Sequence, residues 1–201
     1  MQSIPISPNA PMKGAVGGIL NINKPAGWSS FQIVRYIRHI LQVKKAGHCG
    51  TLDPMATGVL LVVFGDFTPR AGEFMEGRKI YSGRIKLGLK TDTGDITGKT
   101  ILESDVRAVT DVELDAVRKK FTGEMDQVPP MYSALKWGGL RLYDLARQGV
   151  SVPRSSRRIT IDSLELHSID GGELYFKVNC SKGTYVRTLA ESIGESLGMP
   201  A

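Results

Sequence analysis

The sequence predicts a chain built of both strands and helices, α+β in class. Two patterns carry that expectation. Three stretches space apolar residues for an amphipathic helix, and several others alternate apolar and polar residues as a half-buried strand does. With 201 residues, 41% of them hydrophobic, there is material for one sizeable core, arranged as one domain with two lobes.

The elements follow in order. Met1 to Ala15 contains Pro5, Pro8 and Pro11 without periodicity and reads as a mobile tail. Gly18 to Asn23 is a short strand that ends at the turn Lys24-Pro25-Ala26-Gly27. A helix opens at Ser29, which forms a capping box with Gln32. Phe31, Val34, Ile37, Ile40 and Leu41 are expected on its buried face, with Arg35, Arg38 and His39 elsewhere and Lys44-Lys45 following. Val59 to Phe64 is a continuous apolar run, expected to be a strand buried on both faces. Thr68 to Met75 reads as a short helix. Arg78 to Leu89 reads as a half-exposed strand with Ile80, Ile85, Leu87 and Leu89 inward, and Tyr81 sits early in it.

Thr91-Asp92-Thr93-Gly94-Asp95 is a polar turn cluster whose spacing does not fit a calcium-binding EF-hand. Thr110 to Phe121 is a second helix, with a Thr110–Glu113 capping box and Gly123 at its end. Gln127 to Lys136 contains Pro129-Pro130 and is extended. Leu140 to Gln148 is a short helix closed by Gly149. Arg158 to Leu166 and Glu173 to Cys180 form a hairpin around Gly171-Gly172. The last helix spans Thr184 to Leu197, with a stripe of Val186, Leu189, Ile193 and Leu197. Arg187 lies in its first turn, where the helix dipole favours anions. A residue that breaks a local rule in this way invites a functional role, such as meeting a carboxylate.

One stretch concentrates the chemistry. Gly47-His48-Cys49-Gly50-Thr51-Leu52-Asp53-Pro54 runs through Gly58 into the apolar run. Glycines permit backbone shapes closed to other residues, and Pro54 holds Asp53 in extended or turn geometry. Two readings stand side by side: a shaped loop presenting one reactive carboxylate, or an ordinary Asp-Pro turn. His48 taken alone reads as a loop histidine bonded to backbone. Tyr81 reads equally as a core aromatic of the sheet.

The net charge of +6 and the pI of about 9.4 point to a polyanionic partner. Between Lys136 and Arg158 stand six basic residues (Lys136, Arg141, Arg147, Arg154, Arg157 and Arg158) against one acid, Asp144. Tyr132, Trp137 and Tyr143 are interleaved, which suits a surface that tracks a nucleic-acid backbone and stacks bases. Inward packing of Tyr143 is the even alternative. Cys49 and Cys180 have no ligand spacing, so neither a disulfide framework nor a zinc site is expected. There is no apolar signal core and no run of membrane-spanning length, so a cytoplasmic protein without a membrane partner is expected.

Five blocks in this order resemble the bacterial tRNA pseudouridine-55 synthases of the TruB type. They are Leu20-Asn21-Ile22-Asn23-Lys24-Pro25 with Gly27 and Ser29-Ser30; the Gly47–Leu61 stretch; Lys79-Ile80-Tyr81 with Leu87-Gly88 and Thr91–Asp95; Pro129-Pro130-Met131-Tyr132-Ser133-Ala134 with Lys136; and Ser181-Lys182-Gly183-Thr184-Tyr185-Val186-Arg187. The resemblance implies the pseudouridine synthase fold, a mixed, largely antiparallel sheet flanked by helices with RNA in a central cleft. It also implies a catalytic domain over residues 16–201. It makes Asp53 the catalytic aspartate, Tyr81 the tyrosine beside the target base and Arg187 the partner of Asp53. His48 would fill the space left by the extracted uridine. Lys24 and Pro25 would lie near the active site, and Lys136, Arg141 and Arg147 on a loop that closes over the RNA.

The implied reaction is isomerisation of uridine 55 in the tRNA T-loop, with the T stem-loop as partner. A monomer without cofactor or metal is expected. Chains of this type continue into a Leu-Arg-Arg segment and a small C-terminal RNA-binding domain. This sequence stops at Pro200-Ala201, so the resemblance implies a form without them. Two alternatives accompany this reading: a non-catalytic RNA-binding module, and a guide-RNA-dependent relative.

Overall fold

A computed structural model describes residues 17–201. The expected tail, residues 1–15, lies outside the described residues. The chain divides into two compact units at Gly77/Arg78.

The first unit is a three-stranded antiparallel sheet with one long helix. Strand β1 (Gly17–Lys24) leads into helix α1 (Ser30–Ile40), then β2 (Ala46–His48) and β3 (Gly58–Gly65). The order is β1-β3-β2, so β3 is central. A 3-10 turn at Thr68–Arg70 and helix α2 (Ala71–Met75) follow. The expected capping box is present: the Ser29 side chain accepts from the Gln32 N–H, and Gln32 returns the bond to Ser29.

The buried stripe of α1 matches the expected one at Val34, Ile37 and Leu41 but not at Phe31 and Ile40. Ser30, Ile33, Val34 and Ile37 point inward, while Phe31 is 64% exposed and Ile40 is also exposed. Ile33 and Ser30 share the face of Ile37 at three- and four-residue spacing, and Phe31 lies well to one side of it. The helix ends in a Schellman motif. Gln42 N–H donates to His39 O and Val43 N–H to Arg38 O. Gln42 occupies the left-handed position, φ 51°, where glycine is usual, and its amide bonds back to His39 O. Strand β3 also differs from expectation. Leu60, Val62, Val63 and Phe64 are buried, but Val59 is 67% exposed where the strand leaves the Asp53 loop.

The second unit is built on a four-stranded antiparallel sheet of order β4-β11-β10-β7. Its members are β4 (Lys79–Lys86), β7 (Gly123–Gln127), β10 (Arg157–Ile169) and β11 (Glu173–Cys180). The predicted β10–β11 hairpin is present. Two short ribbons were not foreseen. One joins β5 (Leu89–Thr91) to β6 (Thr100–Glu103), and the other joins β8 (Lys136–Trp137) to β9 (Leu140–Arg141). Three helices complete the unit: α3 (Asp111–Lys120), α4 (Leu142–Arg147) and α5 (Val186–Ser196). Leu189, Ile193 and Leu197 pack with Leu114, Val117, Leu166, Leu174 and Val178 in one core. Ile80 is 66% exposed, whereas Ile85 is buried. The two positions have opposite parity in β4, so a two-residue period cannot turn both inward.

The second predicted capping box is reinforced. Thr110 and Glu113 bond reciprocally, and Arg107 holds the same carboxylate at 2.6 Å while also donating to Leu197 O at 3.0 Å. Arg107 first, and the Thr110 bonds next, lower the Glu113 carboxyl from 4.5 to about 2. A depressed folded-state value means that this stabilisation is complete above about 4.5 and is lost as pH falls through about 2. Glu113→Gln is therefore expected to flatten the acid limb of the melting temperature between those limits, read by thermal unfolding across pH. An unchanged limb would contradict the assignment.

Candidate active site

In the first unit Lys24, Pro25 and Asp53 meet around a braced turn. Lys24 closes β1, and its side chain is fully buried. Its ammonium donates to three backbone carbonyls: Trp28 O at 2.6 Å, Pro25 O at 3.0 Å and Pro54 O at 3.1 Å. An ammonium has three donors, and each has an acceptor here. Pro54 O also accepts the Gly27 N–H at 2.8 Å. Ser30 ties in the other side of the loop, because its hydroxyl accepts from Leu52 N–H at 2.9 Å and donates to Leu52 O at 3.1 Å. Asp53 O receives the Ala56 N–H at 3.0 Å. The half-buried carboxylate of Asp53 is thus carried by a turn whose neighbours on both sides are fixed.

Burial lowers the pKa of Lys24 from its ordinary value, and attraction to the Asp53 carboxylate opposes that shift. The resemblance places Lys24 near the active site, and its geometry makes it an internal brace beside the Asp53 turn. Two of the acceptors, Pro25 O and Trp28 O, are local, but the third, Pro54 O, lies 30 residues away and carries the link to the Asp53 turn. His48 ends β2 opposite Val62, and Cys49 follows, buried, with its N–H on Leu61 O. Burial pushes the Cys49 thiol upward, which suits a small inert filler.

In the second unit Tyr81 lies in β4 opposite Val178 and packs, partly buried, against the main core. Arg187 is the second residue of α5, in a first turn that carries no acid. Its guanidinium donates to Thr93 O at 2.6 Å and to Tyr132 O at 2.8 Å. Two fixed carbonyls compensate for its unfavourable place on the helix dipole. They join α5 to the Thr91–Asp95 turn and to the Pro-Pro segment, so two of the resemblance blocks meet on this side chain.

A residue that the sequence reading passed over sets the start of the helix. Gln127 accepts the Tyr185 N–H at 2.8 Å and donates to Tyr185 O at 3.0 Å, clipping the cap of α5. Its position at the entry to Pro129-Pro130 was the available hint. Arg187→Lys cannot span both carbonyls with a planar fork. Losing one charge-assisted bond costs about 1.5–3 kcal/mol, so a melting temperature several degrees lower is expected. An unchanged melt would remove Arg187 from this bracing role.

Lys136 and Arg141 face each other in the exposed β8–β9 ribbon. The guanidinium groups of Arg141 and Arg147 lie 5.8 and 5.5 Å from the centroid of the Tyr143 ring, while Leu142 is buried beneath. Between the two readings for Tyr143, the ring is half-buried with two guanidinium groups over it. A cavity of about 210 Å³ lined by Lys90, Leu102, Glu191 and Met199 includes none of the expected site residues. No helix among the described residues is long and apolar enough to cross a membrane.

Comparison with solved structures gives the class first. The chain superposes on the crystal structure of a Cbf5-Nop10-Gar1 complex with a TM-score of 0.68 and 30% identity, over 92% of this chain and 45% of that one. It also matches an H/ACA RNP bound to a substrate RNA containing 2'-deoxyuridine, with a TM-score of 0.64 and 26% identity over 92% of this chain and 44% of that one. The fold is that of the pseudouridine synthases.

Residues 38–186 match the TruB family pseudouridylate synthase N-terminal domain, and the chain belongs to that family. It is 44% identical to the tRNA pseudouridine synthase B of Endomicrobium trichonymphae, over 90% of this chain and 79% of that protein. It is 48% identical to that of Clostridium acetobutylicum, over 92% of this chain and 63% of that protein. With the Azoarcus sp. protein it shares 46% identity over 92% of this chain and 62% of the relative. The chain thus spans somewhat under two thirds of most of these relatives.

Proposed function

We propose that this protein isomerises uridine to pseudouridine at position 55 in the T-loop of tRNA. The observation that carries the reading is the turn bearing Asp53, braced by Lys24 and Ser30, in a chain of a pseudouridylate synthase family. The target uridine is flipped from its stack at a cost of a few kcal/mol, and His48 fills the space it leaves. Asp53 acts ionised, either attacking the sugar or assisting loss of the base. Arg187 pairs with it and keeps it charged and aimed. Tyr81 stacks on the uracil and is placed to take a proton from the sugar. Lys136, Arg141 and Arg147 hold the RNA backbone. The base is rotated and rejoined through carbon without cofactor or metal.

The deciding experiment is incubation with an unmodified tRNA transcript, followed by detection of pseudouridine at position 55. No product at that position would overturn the proposal. The likeness to chains solved as Cbf5 complexes favours one second reading, dependence on partner components. Activity on bare tRNA by the chain alone would exclude it.

A further inference from the structure

The positive charge of this protein is not spread along the chain. Residues 1–52 contain six Lys and Arg and no Asp or Glu, so the remaining 20 cations balance the 20 acids and the whole +6 lies ahead of Asp53. Within that span Lys24 is internal. Arg35, Arg38, Lys44 and Lys45 are all exposed, and none has a carboxylate partner among the described residues. In the later basic region one cation, Arg158, does lie near carboxylates, Glu124 and Asp126, at 3.8 and 3.7 Å.

Phe31, Arg35 and Arg38 recur at i, i+4 and i+7, one strip of α1 beside its buried face. Phe31, 64% exposed, is out of the core that Ile33, Val34 and Ile37 help to build. An isolated exposed phenylalanine needs no explanation, but this one stands in line with unpaired guanidinium groups. The strip also has a fixed origin, because Ser30, next to Phe31, carries both bonds to Leu52 beside Asp53. From there α1 runs about 16 Å to the Lys44–Lys45 turn.

We propose that this strip, Phe31-Arg35-Arg38 continued by Lys44 and Lys45, is an RNA-backbone track leading away from the Asp53 turn. It contacts successive phosphates of the strand on one side of the target nucleotide, with Phe31 against a base or ribose nearest the turn. The proposal rests on the RNA-modifying reading above and extends it to a surface outside the Lys136–Arg158 region. Charge complementarity selects the occupant. Each phosphate contact displaces condensed counterions, which an uncharged partner would not do.

The test uses the full chain and an unmodified tRNA transcript, with binding measured across a salt series. Replacing Arg35, Arg38, Lys44 and Lys45 together with alanine is expected to lower the steepness of log K against log salt by about 3. Arg35→Lys with Arg38→Lys is expected to restore most of it, because charge and not fork geometry carries the contact. Phe31→Ala is expected to weaken binding roughly tenfold at every salt concentration with the slope kept. Melting curves of each variant show that the fold persists, and Lys44→Ala with Lys45→Ala alone, in a turn, still lowers the slope by more than 1. An unchanged slope in the alanine variants overturns the track. So does an unchanged slope accompanied by lost binding to anionic vesicles, which would assign the strip to a lipid surface. Product formation by the unaltered chain separates the two claims. If it makes pseudouridine and the slopes coincide, only the track fails. If it binds tRNA with the predicted slope change but makes no pseudouridine, only the proposed activity fails.

Discussion

Asp53→Asn is expected to reduce pseudouridine formation by about a thousandfold or more, the scale set by losing a nucleophile or an acid–base group. The substitution keeps side-chain shape and leaves the turn's backbone bonds in place. Those bonds run through Pro54 O, Leu52 N–H and O, and Asp53 O, and none of them uses the carboxylate. Binding of unmodified tRNA should therefore stay within a few fold. Stability should fall slightly, because the buried Lys24 loses the carboxylate attraction that offsets its desolvation. Single-turnover assays with binding measured in parallel separate the outcomes. Near-normal product from this variant would remove Asp53 from the chemistry.

Lys24→Met should have the larger effect on stability. The methionine retains most of the apolar stem but leaves Trp28 O, Pro25 O and Pro54 O without their donor. Pro54 O keeps the Gly27 N–H, so two carbonyls lose a donor and have no replacement among these bonds. At about 1–3 kcal/mol for each unmatched buried group, a loss of about 3 kcal/mol is expected. For a chain of this size that corresponds to a melting temperature lower by about 6–12 °C. The loop should loosen with it, and product formation should fall even at temperatures where the variant is folded. A variant that melts like the parent would show that the three bonds contribute little.

The parts of this fold that were legible in the sequence are those determined locally. Both capping boxes appear as read, because each depends on two residues three positions apart. The β10–β11 hairpin and the stripe of α5 follow from simple periods. The structure departs from expectation where residues do not keep the period of their element. Ile80 and Ile85 cannot share a strand face, and Phe31 shares a flank with Arg35 and Arg38, not with Ile37. The ribbon strands β6 and β8 are too short and too exposed to leave a pattern. The candidate site was legible as residues but not in its support. Locally Asp53 was open between a reactive carboxylate and an ordinary Asp-Pro turn, and Arg187 stood out against its helix dipole. The Lys24–Pro54 bond, the two hydrogen bonds between Ser30 and Leu52 and the Gln127 clip join residues up to 58 positions apart, which no local window contains.

The two bonds between Ser30 and Leu52 also have a consequence in time. The Leu52 amide is held by a hydroxyl on a helix packed into the core, so its proton can exchange with solvent only when that helix end opens. The turn before Asp53 is thereby ordered in the free protein, so in the proposed reaction little entropy is lost to arrange it. The free energy of RNA contact would then be available for the proposed extraction of a nucleotide from its stack. Deuterium uptake at Leu52 and Gly27, measured without RNA, would read that readiness directly.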